Sequence, residues 1–239
     1  MNDGWDQSAE AWIASIGDRG DWAREHILDP AMLARIDLQH FRRGLDIGCG
    51  EGRFCRMLKK RGVSVVGIDP SQPLLDAATR RDPSGEYRLA RAEQLPFSDG
   101  SFDLVASYLS LCDIPDFKAA IGEMARVLAP GGTLLLANLT SMSTADAGIG
   151  WVNDDKGDLL YWPIDRYLDE FSMRSEWNGI SIVNWHRPLS AYMSALLGAG
   201  LRLVFFDEPQ PASGDPKRQE RYRRMPWFVL MEWRAPGCS

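Results

Sequence analysis

Leu45-Asp46-Ile47-Gly48-Cys49-Gly50-Glu51-Gly52 decides how the rest of this 239-residue chain is read. Leu45, Asp46 and Ile47 form a short buried-strand pattern that runs into three alternating glycines. Phe54, Met57 and Leu58 follow at helical spacing, and Gly62 stops that pattern. A strand that turns through glycines into a helix lets backbone N–H groups approach a ligand closely. Three details narrow the ligand. Asp46 ends the strand, where a carboxylate repels a pyrophosphate and suits a cation. The glycines are spaced Gly-x-Gly-x-Gly, whereas the dinucleotide fingerprint needs a glycine where Arg53 stands. Asp69, in Gly67-Ile68-Asp69-Pro70-Ser71, lies 19 residues beyond Gly50. That is the spacing that sets a carboxylate on ribose hydroxyls.

The pattern extends outward from this loop. Residues 63–68 are β-branched and apolar, a strand, and Leu74, Leu75 and Ala78 mark a second helix. Residues 87–90 form a weak strand and 102–108 a stronger one. Phe117, Ala120, Ile121, Met124, Val127 and Leu128 make the clearest amphipathic stripe in the chain, and Pro130-Gly131-Gly132 turns it into a strand over 133–138. Strands alternating with helices predict a doubly wound parallel sheet covered on both faces. Ligands of such sheets bind outside the carboxyl ends of the strands, where Gly48 begins.

After Asn138 the pattern changes. Residues 140–185 are polar and aromatic, with no crossover helix. Asn178-Gly179 between 173–177 and 180–185 predicts a hairpin. A helix carrying Tyr192, Leu196 and Leu197 follows Pro188, and 201–206 and 227–233 read as two last strands. No tryptophan falls between Gly44 and Asn138, and all nine lie elsewhere. The chain therefore divides into an N-terminal cap segment (1–40), a core (41–139), a cap insertion with the hairpin (140–187) and a final segment completing the sheet (188–239).

Composition limits the partners. A formal net charge of −6 and a pI near 5.2 disfavour nonspecific nucleic-acid binding, which needs many cations against phosphates. The first residues, Met1-Asn2-Asp3-Gly4-Trp5-Asp6, are acidic without an apolar run, so no signal peptide is expected, and no apolar stretch approaches the ~20 residues of a membrane span. Cys49, Cys55, Cys112 and Cys238 include no Cys-x-x-Cys pair and read as reduced thiols of a cytoplasmic protein. His26, His40 and His186 show no metal-ligand spacing, so no metal is expected.

The segment resembles class I S-adenosylmethionine (SAM)-dependent methyltransferases, of the small-molecule type typified by ubiquinone and menaquinone biosynthesis enzymes. Leu45 to Gly52 looks like their first motif and Gly67-Ile68-Asp69 like the second. Ala92-Glu93-Gln94-Leu95-Pro96-Phe97 with Ser101-Phe102-Asp103-Leu104-Val105 looks like the third, and Arg126-Val127-Leu128-Ala129-Pro130-Gly131-Gly132 like the segment before their fifth strand. The resemblance implies an α/β, Rossmann-like, mostly parallel seven-stranded sheet with one antiparallel strand, and SAM as cofactor with S-adenosylhomocysteine as product. It implies that backbone around Gly48, Cys49 and Gly50 approaches the methionine part, with Asp46 near its amino group, directly or through water. Asp69 would take the ribose hydroxyls, Pro70 and Leu74 would flank the adenine, Ala92 and Glu93 would lie at its edge, and Tyr108 would line the methyl-donor side. The family usually has an acid where this chain has Arg91, which has no acceptor. Glu93 or a backbone carbonyl is then expected to meet the adenine amino group.

On the acceptor side, His186 is the expected general base and Tyr192 the alternative. Trp12 and Trp22 would shape the acceptor pocket, and Arg24 and Arg187 would hold an acidic group. The basic run Lys217-Arg218-Gln219-Glu220-Arg221-Tyr222-Arg223-Arg224 reads as a solvated surface helix, a lid over an anionic substrate or an RNA contact. The function expected is methyl transfer to a small-molecule acceptor. The competing readings are a SAM-binding sensor or partner subunit without transferase activity, an RNA methyltransferase and, least favoured, a nicotinamide-dependent oxidoreductase.

Overall fold

A computed structural model describes residues 3–146 and 148–237; Cys238 lies outside them. The sheet is built on β1 (Arg43–Ile47), which pairs in parallel with β2 (Ser64–Asp69) on one side and β4 (Phe102–Tyr108) on the other. β3 (Glu86–Leu89), β5 (Leu128–Leu139), β10 (Arg202–Asp207) and β11 (Phe228–Arg234) complete seven strands in the order β10-β11-β5-β4-β1-β2-β3. β11 is antiparallel to both of its neighbours, so β10 runs in the common direction. The expected architecture, six strands one way and one reversed, is the one observed.

Alternation along the central strands feeds two cores. Phe102 and Val105 of β4 with Leu134 and Leu136 of β5 face one side, under α5 (Phe117–Val127) and α7 (Leu189–Gly198). Leu104, Ala106, Leu135 and Ala137 face the other, under α2 (Asp29–Asp37) and α3 (Arg53–Lys59). From Leu104 onward this is the period of two that strand geometry imposes, and the irregular β4–β5 register between Phe102 and Leu104 sets Phe102 on the side of Val105. α5 starts where the Asp116 side chain accepts the Ala119 N–H at 3.0 Å, and it buries Phe117, Ala120, Ile121, Met124 and Val127. Burial of each larger one contributes roughly 1.5–3 kcal/mol.

The remaining elements gather at the carboxyl end of the sheet. α1 (Trp5–Ile16) packs on β9 (Ile180–His186) and on α4 (Gln72–Arg81). Val183 donates its N–H to the Asp3 carbonyl at 2.9 Å, and Ser181 donates its own to Ser8 Oγ at 3.0 Å. β8 (Phe171–Trp177) and β9 form the hairpin expected from Asn178-Gly179, with both turn residues at positive φ. A short helix, α6 (Ser141–Thr144), and a small hairpin, β6 (Val152–Asn153) with β7 (Leu159–Tyr161), fill the rest of the 140–185 stretch.

The basic run forms α8 (Pro216–Arg224), which buries no residue. Its Tyr222 stacks on Trp22 at 5.2 Å, and rings continue through Trp227 and Trp162 to Trp151. This row joins the N-terminal segment to the 140–185 stretch along one side. Tryptophan placement therefore does not mark a cap alone: Trp233, on β11, is wholly buried in the sheet's own core.

Candidate functional site

A cleft opens where β1, β2 and β4 end, with about 760 Å³ of space that is partly continuous with solvent. Gly48 and Gly50 form its floor, and Asp69, Pro70 and Leu74 one side. Ala90 to Glu93 form the far edge. The opposite wall comes from Tyr108 at the end of β4, from the loop after it (Leu109, Ser110, Asp113 to Pro115) and from Asp3, Trp5, Trp12 and Arg24 of the N-terminal segment. An inner lobe shares Trp12, Arg24, Gly48, Gly50 and Tyr108 with this cleft and adds Asp46, Cys49 and Glu51. All ten residues assigned to the cofactor by resemblance thus line the cleft or the lobe that adjoins it.

Local physics fixes the loop. Gly48 sits at φ +71, and a Cβ there would overlap the Ser110 side chain. Ser110 in turn donates its hydroxyl to the Ile47 carbonyl at 2.6 Å, so the strand end and the β4 loop are locked together. The glycine is needed because the protein itself fills the space beside it and because the backbone there has a positive φ. Asp69 accepts the Gly50 N–H and the Ser71 N–H, both at 2.9 Å, one on each oxygen. Each oxygen keeps a second lone pair for a hydroxyl. Burial pushes the Asp69 pKa up to about 6, against the two backbone donors that lower it.

Asp46 is 1% exposed. Its Oδ2 accepts from Cys55 Sγ at 3.2 Å, and its Oδ1 has no partner among the described residues. Burial, with Asp69 and Glu51 nearby, raises its pKa to about 7. A buried carboxylate oxygen without a donor fits a cationic ligand. Arg91 pairs with Glu93 at 3.1 Å on the far edge, so the residue that departs from the family pattern engages the one expected to compensate for it.

The acceptor-side expectations divide. Trp12 and Arg24 line the cleft, with the Arg24 guanidinium 4.9 Å from the Trp12 ring centre. Trp22 does not; it is covered by Gly214 and Tyr222 beneath α8. His186 does not face the cleft either. It is fully buried, with Nε2 on the Tyr167 carbonyl at 3.0 Å and Nδ1 on Thr144 Oγ1 at 2.7 Å. A carbonyl can only accept, so Nε2 carries the proton and Nδ1 receives the threonine hydroxyl. Both nitrogens are engaged, and burial lowers the ring's pKa. The reason lies in β9, where Ile180, Ile182, Asn184 and His186 alternate onto the buried face. Tyr192 is buried edge-on to Phe117 in the core beneath α5 and α7. Arg187 is also buried, donating to the Ile114 and Pro115 carbonyls at 2.7 and 2.9 Å. It braces the β4 loop from behind rather than holding a ligand.

Asp113 was not anticipated. It stands in that loop, lines the cleft and is held by the Asn184 amide of β9. Burial raises its pKa to about 7. The available signal was its place: an acid a few residues past the carboxyl end of a central strand.

Comparison with known proteins agrees with this geometry. A family model described as a methyltransferase domain matches residues 45–136. A malonyl-[acyl-carrier protein] O-methyltransferase of Serratia marcescens is 37% identical over 111 residues, 46% of this chain and 44% of the relative. Methyltransferase GfsG of Streptomyces halstedii is 32% identical over 166 residues, 61% of this chain and 60% of the relative. The chain spans about half the length of the sequence relatives it matches. The solved structure of an S-adenosylmethionine-dependent methyltransferase from Mesorhizobium loti superposes with a TM-score of 0.76 at 30% identity, covering 86% of this chain and 96% of that one. With its sheet order, its glycine loop at the end of β1 and this end-to-end likeness, the chain belongs to the S-adenosylmethionine-dependent methyltransferase family.

Proposed function

We propose that this chain transfers a methyl group from SAM to a small-molecule acceptor seated between the N-terminal segment and the β4 loop. The observation that carries the reading is the continuous cleft, which joins the glycine loop, Asp69 and the Ala92–Glu93 edge to a wall not needed for the cofactor. When bound, SAM supplies an electrophilic methyl carbon on a sulfonium. Asp46 and the backbone of Gly48, Cys49 and Gly50 would hold the amino-acid part, with Arg24 opposite its carboxylate. Asp69 would hold the ribose, Pro70 and Leu74 the adenine faces, Ala92 and Glu93 its edge, and Tyr108 the donor side. Tyr108 is fixed for that by its hydroxyl, which donates to Asp29 at 2.9 Å.

The protein's share of catalysis is placement and exclusion of water. Trp5 and Trp12 meet edge to face at 5.3 Å and form an apolar wall on the acceptor side. Asp113 takes the place expected of His186. A carboxyl near neutrality in pKa can accept the proton of an oxygen or nitrogen acceptor as the methyl arrives. We assign segments 1–40 and 140–187 to a cap over the core 41–139, with 188–239 completing the sheet. No helix among the described residues is long and apolar enough to cross a membrane. A cytoplasmic enzyme fits that and the buried free thiols of Cys49, Cys55 and Cys112. The test is conversion of SAM to S-adenosylhomocysteine across a library of small acceptors, with Asp113→Asn as comparison. Binding of SAM without turnover on any acceptor would favour a sensor or partner subunit.

A further inference from the structure

Beneath the glycine loop two thiols meet. A Cβ built on Gly67 of β2 would lie 2.8 Å from both Cys49 Sγ and Cys55 Sγ, so only glycine leaves room for the pair. Cys55, on the first turn of α3, is 2% exposed and contributes no surface to the inner lobe. Its sulfur nevertheless reaches the lobe's buried carboxylate, donating to Asp46 Oδ2 at 3.2 Å. The other oxygen, Oδ1, has no partner among the described residues.

We propose that Cys55 is a positioning residue: its S–H holds Asp46 Oδ2, which leaves Oδ1 to receive the α-ammonium of the cofactor's amino-acid part. The inference rests on the cofactor reading above. A carboxylate without this donor would be free to rotate about its side-chain bonds and to turn both oxygens away from the lobe. The donor also acts on ionisation. The groups facing Asp46 are Cys55 from α3, Cys49 and Glu51 from the loop, and Asp69 from β2. Glu51 is itself neutralised by Arg56 at 2.8 Å and Arg81 at 2.6 Å. Against burial and two carboxylates, the Cys55 hydrogen bond is the contribution that favours the ionised form. An ammonium needs that form.

Two probes separate this role from plain packing. S-adenosylhomocysteine carries the amino-acid part; 5′-methylthioadenosine shares the adenosine and thioether but lacks it. In calorimetry at pH 6.5, Cys55→Ala should bind S-adenosylhomocysteine about fivefold more weakly, the scale of one modest hydrogen bond, and bind 5′-methylthioadenosine as the wild type does. The pH at which S-adenosylhomocysteine affinity reaches its plateau should move upward. Cys55→Ser, which keeps a donor, should restore affinity and pH dependence. Unchanged S-adenosylhomocysteine affinity in Cys55→Ala would overturn the proposal, as would equal losses for both probes or a serine variant no better than alanine. Wild-type protein that binds neither probe would instead overturn the cofactor reading, and the proposal with it.

Discussion

Arg53 Nη1 donates to Asp29 Oδ1 at 3.0 Å, and the second guanidinium nitrogen bonds the other carboxylate oxygen, forming a two-pronged pair with both side chains about nine-tenths buried. Arg53 begins the helix after the glycine loop, and Asp29 belongs to the N-terminal segment. The same guanidinium also donates to the Asp18 and Arg19 carbonyls, at 3.3 and 2.6 Å. The residue that breaks the dinucleotide fingerprint therefore ties the N-terminal segment to the helix that follows the glycine loop. Asp29→Asn or Arg53→Ala strands a buried charge, which typically costs about 3–5 kcal/mol. The expected outcome is a urea midpoint lowered by that scale. A shift within experimental error would show that the pair contributes nothing.

Gly48 and Ser110 should be energetically coupled. Gly48→Ala forces a Cβ onto the Ser110 side chain and strains a positive φ, at a cost of about 2–4 kcal/mol. Adding Ser110→Gly removes the overlap but not the strain. The double variant should recover at least about 0.5 kcal/mol in a double-mutant cycle. Strict additivity would mean that the loop relaxes away from the β4 segment.

His186 should behave as a structural residue. His186→Ala removes the donor to the Tyr167 carbonyl and opens a void, while the Thr144 hydroxyl can turn to the Ser141 carbonyl at 3.3 Å, for a loss of about 2–4 kcal/mol. Stability should fall while SAM affinity and the shape of any pH–rate profile persist. Loss of a pH limb with unchanged stability would return His186 to the chemistry.

The sequence carried much of this. Alternating apolar runs and helical stripes dictate the sheet, because β1, β2, β4 and β5 are buried on both faces and cannot be written in polar residues. The glycine loop and Asp69 were legible because their backbone geometry restricts residue type. His186 was misplaced although the signal existed: Ile180 and Ile182 set the buried face of β9, and position 186 shares it. Asp113 was harder to find. Its place depends on Asn184 and Arg187, more than seventy residues away along the chain, which hold the β4 loop. Likewise Trp22 reads as a pocket wall until α8 is seen to cover it.

Ligand-free stability should fall as pH rises. Asp46, Asp69 and Asp113 have folded pKa values raised to about 7, 6 and 7. Unfolded carboxylates titrate near 4. Between about pH 4 and 7 the native state binds more protons than the unfolded one, so these groups favour folding at low pH, and that contribution is lost as pH rises through their folded values. Asp113→Asn should flatten the slope of urea midpoint against pH over this window. An unchanged slope would mean that Asp113 is ionised throughout.

Direct calorimetric titration of the purified chain with SAM, with NAD as control, tests the central claim. One SAM should bind per chain and NAD should not. Affinity should increase from pH 6 to 8 as Asp46 ionises, and Asp69→Asn should weaken binding by about 1.5–3 kcal/mol. Absence of SAM binding by folded protein, or binding indifferent to Asp69, would contradict the assignment of this cleft.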